Sequence, residues 1–344
     1  MIHFSIQVVS FVEFVISAEW KVMIMTDIKT LVARKPLLGI SECLLGKEVR
    51  FNGGHKKSRY CTDVLSEYFD FKAICPEVLI GLPIPRKAIR IVDVAGKSQV
   101  IATDDPNTDY MQDLTDLASK MAPSLTGLSG YIFMQQSPSC GVGSAKIYND
   151  KGHPSSKGNG AFSDKLISAL PLLPVTEEGR LNDAGIRENF IANVYAYAEW
   201  QQDITVNLSA KKLIDFHYRH KLKLFAHNEH AANELGLLLA NLKGKDLSEV
   251  ADRYISVFMS AIKKPITRKC HANSIVKLQR FLKNHISVPE KNELNALLGH
   301  YRSGVVPLVV PMTLLRFLMR KYEQLDALSM SHLYPIELGL ENRI

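Results

Sequence analysis

The feature that most restricts this chain is a change of pattern part-way along it. Between residues 35 and 175, short apolar runs alternate with helical patterns. PLLGIS at 36–41, FKAIC at 71–75 and GYIFMQ at 130–135 read as buried strands, and 62–69 reads as a short helix. Runs at 89–94 and 99–103 flank the turn residues Ala95 and Gly96, which predicts a hairpin. Residues 109–121 carry Leu114, Leu117 and Met121 at helical spacing. Strands separated by helices predict an α/β layer with a mostly parallel sheet. A long helix over 182–202 leads out of it. Beyond that, helical patterns at 210–242, 246–262, 272–283, 290–301 and 312–328 predict an all-α C-terminal domain. Only 305–310 (VVPLVV) reads there as a strand.

The length of 344 residues suits about two domains at ~100–200 residues each. We place an α/β domain with its exit helix at 35–204 and a helical domain at 205–344. Residues 1–34 read as an extension. Their apolar run at 4–17 is interrupted by Gln7 and Glu13, so they make a poor secretory signal, and Met23 or Met25 is an alternative start. No apolar run reaches the ~18 residues of a membrane helix, so no membrane partner is expected. Five cysteines, an odd number dispersed through a long chain, do not form a disulfide framework, and the expected setting is the reducing cytoplasm.

The formal charge of +7 is uneven. Residues 1–204 hold 21 Lys and Arg against 23 Asp and Glu, whereas 205–344 hold 21 against 12. A slightly acidic first half and a basic second half point to a polyanion bound by the second.

In an open α/β sheet, ligands bind beyond the carboxyl ends of the strands. Cys43 lies just past the first predicted strand, Cys75 ends the second beside Pro76, and Cys140 follows the third in the loop SPSCG. Singly, such a cysteine is most often a core residue. Three at three strand ends, among the loop glycines Gly46, Gly53, Gly54, Gly141 and Gly143, favour a metal–sulfur site. Structural zinc usually takes four protein ligands. Three thiolates on an iron–sulfur cluster leave one iron open to act as a Lewis acid. Cys61 and Cys270 read as incidental.

The segments SECLLG (41–46), RFNGGHKK (50–57), CPE (75–77), GLPIPR (81–86) and SPSCG (137–141) together resemble the thiouracil desulfidase family over roughly 35–173. Stretches FHYRHK (216–221), YRSGVVP (301–307) and PMTLL (311–315) are similar to the helical domain often fused to it. Fused chains of this kind resemble bacterial desulfidases of 4-thiouridine in tRNA. The resemblance implies a 4Fe–4S cluster held by Cys43, Cys75 and Cys140 and working without net redox change. Two departures stand out: Asn52 occupies a position where an acidic residue is expected, and the tail at 331–340 matches the family only loosely.

On this reading the substrate is a thiolated base, in tRNA or free, whose sulfur binds the open iron while water or a carboxylate attacks the ring carbon. Glu77 is the candidate acid/base. Ser41 and Ser139 are further catalytic candidates, and Ser137 is a substrate donor, though serines beside Pro and Gly are commonly turn residues. Arg50, Lys57 and Arg86 are candidates for phosphate or base contacts. In the basic half, Lys264, Arg268 and Lys269 head a run suited to phosphates. His217/His220 and His227/His230 have H-x-x-H spacing, but no matching carboxylate accompanies them, so core or surface histidines are expected. Alternatives to a tRNA desulfidase are a desulfidase of free thiolated bases, a non-catalytic RNA-binding or iron–sulfur sensor protein, and a zinc-stabilised module.

Overall fold

The computed structural model describes residues 34–331 apart from Pro106 and Ser329. The extension at 1–34 therefore lies outside the described residues except for Arg34, and so does the tail beyond Ser331.

Two four-stranded sheets build the first half. The first contains β1 (Leu37–Ser41), β2 (Asp70–Ile74), β5 (Gly130–Phe133) and β8 (Val175–Glu177), in the order β2-β1-β5-β8. Every pairing in it is parallel, with Ser41 opposite Ile74 and Ile40 opposite Ile132. The second holds β3 (Ile89–Val94), β4 (Lys97–Ala102), β6 (Ala145–Tyr148) and β7 (Pro154–Gly158), in the order β4-β3-β6-β7. Its β3–β4 hairpin is antiparallel as expected, β3–β6 is parallel and β6–β7 is antiparallel. The parallel α/β layer predicted for this half is present. A second, mixed sheet accompanies it.

Alternation along the strands of the parallel sheet separates its two faces. Leu38, Ile40 and Ile132 face a core with Phe190, Ile191 and Val194 of α4 (Ala184–Glu199). Tyr131 and Phe133 face the opposite core with Leu114 and Ala118 of α2 (Met111–Met121) and Phe162 and Leu166 of α3 (Ala161–Ala169). Both faces are covered, which explains why these strands read as continuous apolar runs. The short α1 (Pro76–Leu79) opens with Pro76, whose missing N–H costs nothing at a helix start.

Helices α5 (Ala210–His227), α6 (Glu229–Ala240), α7 (Leu247–Ala261), α8 (Arg268–Leu278), α9 (Val288–Ser303) and α10 (Val309–Lys321) form the second half. Trp200, Phe216, Tyr254 and Phe258 centre one core, and Ile275, Leu278, Leu294, Leu315 and Met319 another. Helix α4 serves both halves, since its Ala196 and the following Trp200 enter the helical core while Phe190 and Val194 enter the sheet core.

Two expectations change here. The helix expected over 210–242 breaks at Asn228, which is extended and whose side chain accepts from Ala231 N, capping α6. The strand-like 305–310 is a turn running into α10. Gly304 closes α9 at φ 83°, and Pro311 sits in the first turn of α10, where its lack of an N–H is tolerated. Among the described residues no helix is long and apolar enough to cross a membrane, and the cysteines are all free.

Candidate active site

The chain runs from β1 to β2 on one side and later places β5 on the other side of β1. The order therefore reverses beside β1, and the crevice beyond these carboxyl ends is the expected ligand site. β1 ends at Ser41 and turns into a single 3-10 turn, Glu42–Leu45, closed by Gly46 at φ 89°, a conformation glycine adopts without strain. That turn carries Cys43. Cys75 immediately follows β2, and the loop after β5 carries Cys140. All three cysteines line one cavity of about 500 Å³, as Ser41, Glu77, Arg50, Arg86 and Ser137 do. Among the described residues, no three His, Cys, Asp or Glu side chains are grouped closely enough to hold one metal ion. The three thiols share that cavity wall, and thiolates are the soft donors that iron–sulfur clusters and zinc both take.

Hydrogen bonds fix the Cys140 loop at several points. Ser137 Oγ accepts from Ser139 N at 3.2 Å and Cys140 N at 3.1 Å. The Ser139 carbonyl accepts from Phe162 N and Ser163 N at the start of α3. Gly160 is required there, because a Cβ would collide with the backbone of Ser139. The end of β8 supplies two carboxylates. Glu177 Oε1 accepts from Val142 N at 2.6 Å and from Ser144 Oγ, and Glu178 Oε2 accepts from Gln135 N at 2.8 Å. Glu177 and Glu178 thus tie down the two ends of the cysteine loop. Sequence reasoning missed both; the signal was a pair of acids directly after a β-branched run, at a strand end.

Burial pushes the Cys43 thiol up to about 11, only partly opposed by Arg50. It raises Cys75, and it raises Cys140 further, against a hydrogen bond from Ser41, with the other sulfurs adding repulsion. Three thiols that resist ionisation together are a poor nucleophile set, and a metal bound there must displace their protons.

Glu77 is the ionisable group most firmly placed at the cavity. Its Oε2 accepts from Arg86 Nη2 at 2.6 Å and Nε at 3.0 Å, and its Oε1 accepts from Ser139 Oγ at 3.0 Å. Arg86 Nη2 also donates to the Val49 carbonyl at 3.0 Å. Arg86, expected to contact phosphate or base, lines the cavity while pairing with Glu77, and its side chain is only 5% exposed. Ser139, a catalytic candidate in the sequence, is fully buried and off the cavity wall, and its link to the cavity is its hydrogen bond to Glu77. Ser41 Oγ accepts from Met134 N at 2.9 Å, beside Cys140. Lys57 points away, its stem against Gly46, while His55 and Lys56 reach the rim with Arg50 and Asn52. Lys264, Arg268 and Lys269 are exposed on the helical half and do not line the cavity.

The histidines are structural. His217 Nδ1 pairs with Tyr254 OH at 3.1 Å, and His227 Nδ1 donates to the Lys264 carbonyl at 2.8 Å. The expected lack of a carboxylate is corrected for His220, whose Nε2 lies 2.8 Å from Glu199 Oε2. Glu199 comes from α4, and Arg219 also donates to it, so the group is a buried polar network.

An open parallel sheet thus delivers three thiols and a guanidinium-clamped carboxylate to one cavity at its strand ends. Residues 38–178 match the family described as 2-thiouracil desulfurase, and residues 221–335 match a family described as protein of unknown function (DUF1722). YbbK of Bacillus subtilis (strain 168), described as uncharacterized, is 32% identical over 135 residues, covering 38% of this chain and 81% of that protein. YbgA of Escherichia coli (strain K12), likewise described as uncharacterized, is 25% identical over 136 residues, covering 39% and 80%. A solved chain described as the [4Fe-4S]-dependent thiouracil desulfidase TudS is 28% identical, covering 43% of this chain and 94% of that one, with a TM-score of 0.34. The chain belongs to the 2-thiouracil desulfurase family, and it is a desulfidase.

Proposed function

We propose that this protein removes sulfur from 4-thiouridine in tRNA, giving uridine and sulfide, with a 4Fe–4S cluster held by Cys43, Cys75 and Cys140. The observation that carries the reading is the convergence of these cysteines, from three adjacent strand ends, on one cavity that also presents Glu77. The residues fit such a cluster: the donors are soft, and they line one cavity larger than a single ion. When bound, the cluster supplies Lewis acidity at an iron without a protein ligand, where a thiocarbonyl sulfur can bind.

The chain's own residues do the rest. Glu77, oriented by Arg86 and Ser139, takes a proton from the attacking water at one carboxylate oxygen. Ser41 donates toward the Cys140 sulfur, and Ser137 holds the Cys140 amide. Arg50, with His55 and Lys56 beside it, presents positive charge at the rim, where a nucleotide's phosphate would lie. Lys264, Arg268 and Lys269 bind phosphates farther along the tRNA, consistent with the basic second half. Oxygen enters from water, the C–S bond breaks, and sulfide leaves with the displaced proton.

The test uses the full chain, reconstituted anaerobically with iron and sulfide and incubated with bulk tRNA that is then digested to nucleosides. Loss of 4-thiouridine matched by gain of uridine is expected. A fully loaded protein that leaves 4-thiouridine untouched refutes the reading. The family description favours a second reading, a free thiolated base such as 2-thiouracil. It predicts a higher kcat/KM on the free base than on tRNA, and turnover insensitive to charge reversal at Lys264, Arg268 and Lys269.

A further inference from the structure

Tyr131 lies in the middle of the parallel sheet and is fully buried, and its hydroxyl has no hydrogen-bond partner. A buried hydroxyl without a partner is a cost that native structures rarely carry without a reason. The residue is also seated at some expense. Gly39, inside β1, has no Cβ, and one placed there would collide with Cδ2 and Cε2 of the Tyr131 ring. Glycine weakens a strand interior, and its presence marks a close approach. The ring stacks on Phe133, whose centroid is 3.9 Å away. Packing alone would be served as well by phenylalanine, which has the same ring and no polar atom to bury.

The surroundings of the hydroxyl supply the reason. Tyr131 and Cys140 belong to one core cluster, beneath the cavity that Cys140 lines. The orphaned donor and the Cys140 sulfur are therefore buried in the same core.

We propose that the Tyr131 hydroxyl is a positioning donor for the three-cysteine site, giving its hydrogen bond to the Cys140 sulfur once that sulfur is a thiolate ligand. This rests on the cluster reading above. Thiolate ligands are commonly held by outer hydrogen bonds, and loss of such a partner weakens metal retention by roughly 10–100-fold. The same hydroxyl is a liability while Cys140 remains a thiol. Tyr131 therefore trades stability of the cluster-free chain for retention of the cluster.

The experiment compares full-length wild type, Tyr131→Phe and Tyr60→Phe, each cluster-free and each reconstituted anaerobically. Tyr60 is the control: its hydroxyl is also buried without a partner, it packs against the core that holds Cys43 and Cys61, and it does not share the core of Cys140 or line the cavity. The readouts are the rate of iron loss to a chelator and the Tm of the cluster-free chain. Tyr131→Phe is expected to lose iron roughly 10–100-fold faster than wild type. Its cluster-free form is expected to melt at or above the wild-type Tm, with iron loss from Tyr60→Phe unchanged. Equal iron loss from Tyr131→Phe and wild type overturns the proposal. So does faster loss accompanied by a lower cluster-free Tm, which would mean a packing role, or an equal effect from Tyr60→Phe. A wild-type chain that takes up no iron–sulfur cluster overturns the cluster reading itself and this proposal with it.

Discussion

Arg86 and Glu77 offer the sharpest energetic test of the site. Both guanidinium contacts fall on Oε2, at 2.6 and 3.0 Å, and the side chains are only 5% and 15% exposed. A solvent-exposed pair would be worth ~0.5 kcal/mol. Hydrogen bonds to charged groups contribute ~1.5–3 kcal/mol each, but two that share one oxygen do not add fully. A coupling of about 2–3 kcal/mol is therefore expected from a double-mutant cycle of Arg86→Met, Glu77→Gln and both together. The single changes are unequal. Arg86→Met leaves the Glu77 charge without its partner and should cost ~3–5 kcal/mol. Glu77→Gln leaves the guanidinium on the Val49 and Pro83 carbonyls and should cost ~1–2 kcal/mol. Urea unfolding of the cluster-free chain at pH 7 measures all four corners. A coupling below ~0.5 kcal/mol, or one abolished by 0.5 M salt, would mean an ordinary surface pair and would remove the support for Glu77 as an oriented group.

Three further outcomes are expected. Burial pushes the Lys223 ammonium down to about 7, while the unfolded chain keeps it near 10.5. The unfolded state therefore binds more protons between those values, and stability from this group rises with pH across that window. Lys223→Met should gain most over wild type at pH 6, of the order of a few kcal/mol, and lose that advantage by pH 10 in parallel urea titrations. Asn228→Ala removes the cap of α6 and should cost about 1 kcal/mol, seen as a lower urea midpoint with an unchanged m-value. For tRNA binding followed by filter retention, charge-neutral variants of Lys264, Arg268 and Lys269 should each flatten the log–log salt dependence by ~0.7–0.9, whereas a variant with the wild-type slope makes no phosphate contact.

Much of the site was legible because strand ends announce themselves locally. An apolar run followed by Cys-Pro or Ser-Pro-Ser-Cys-Gly places a thiol at a rim without knowledge of the rest of the fold. What failed depended on distant partners. Glu177 serves the Val142 amide, 35 residues away in the chain, and Glu199 serves His220 from a different helix. Neither pairing leaves a spacing in the sequence. Lys57 and Lys56 differ only in which way an irregular segment turns them, which residue type does not reveal. β7, PSSKG, is exposed almost throughout and carries no apolar alternation, so the mixed sheet had no strand signal at its edge. The break at Asn228 was hidden because asparagine is ordinary on an amphipathic helix until its side chain is found capping the next one.

Helix α4 has a consequence for how the molecule behaves as a mechanical body. Its sheet-facing residues and Trp200 belong to two different cores, and Asn193 Nδ2 donates to the Ile262 carbonyl across the boundary at 2.9 Å. What looks in sequence like a joint between cassettes is a shared beam. Loosening either half strips apolar cover from the other, so heating should give one cooperative melt where two independent modules would give two. A tRNA gripped by the helical half would then be presented to the thiols at a fixed reach, and the distance between grip and cavity would select the nucleotide that enters.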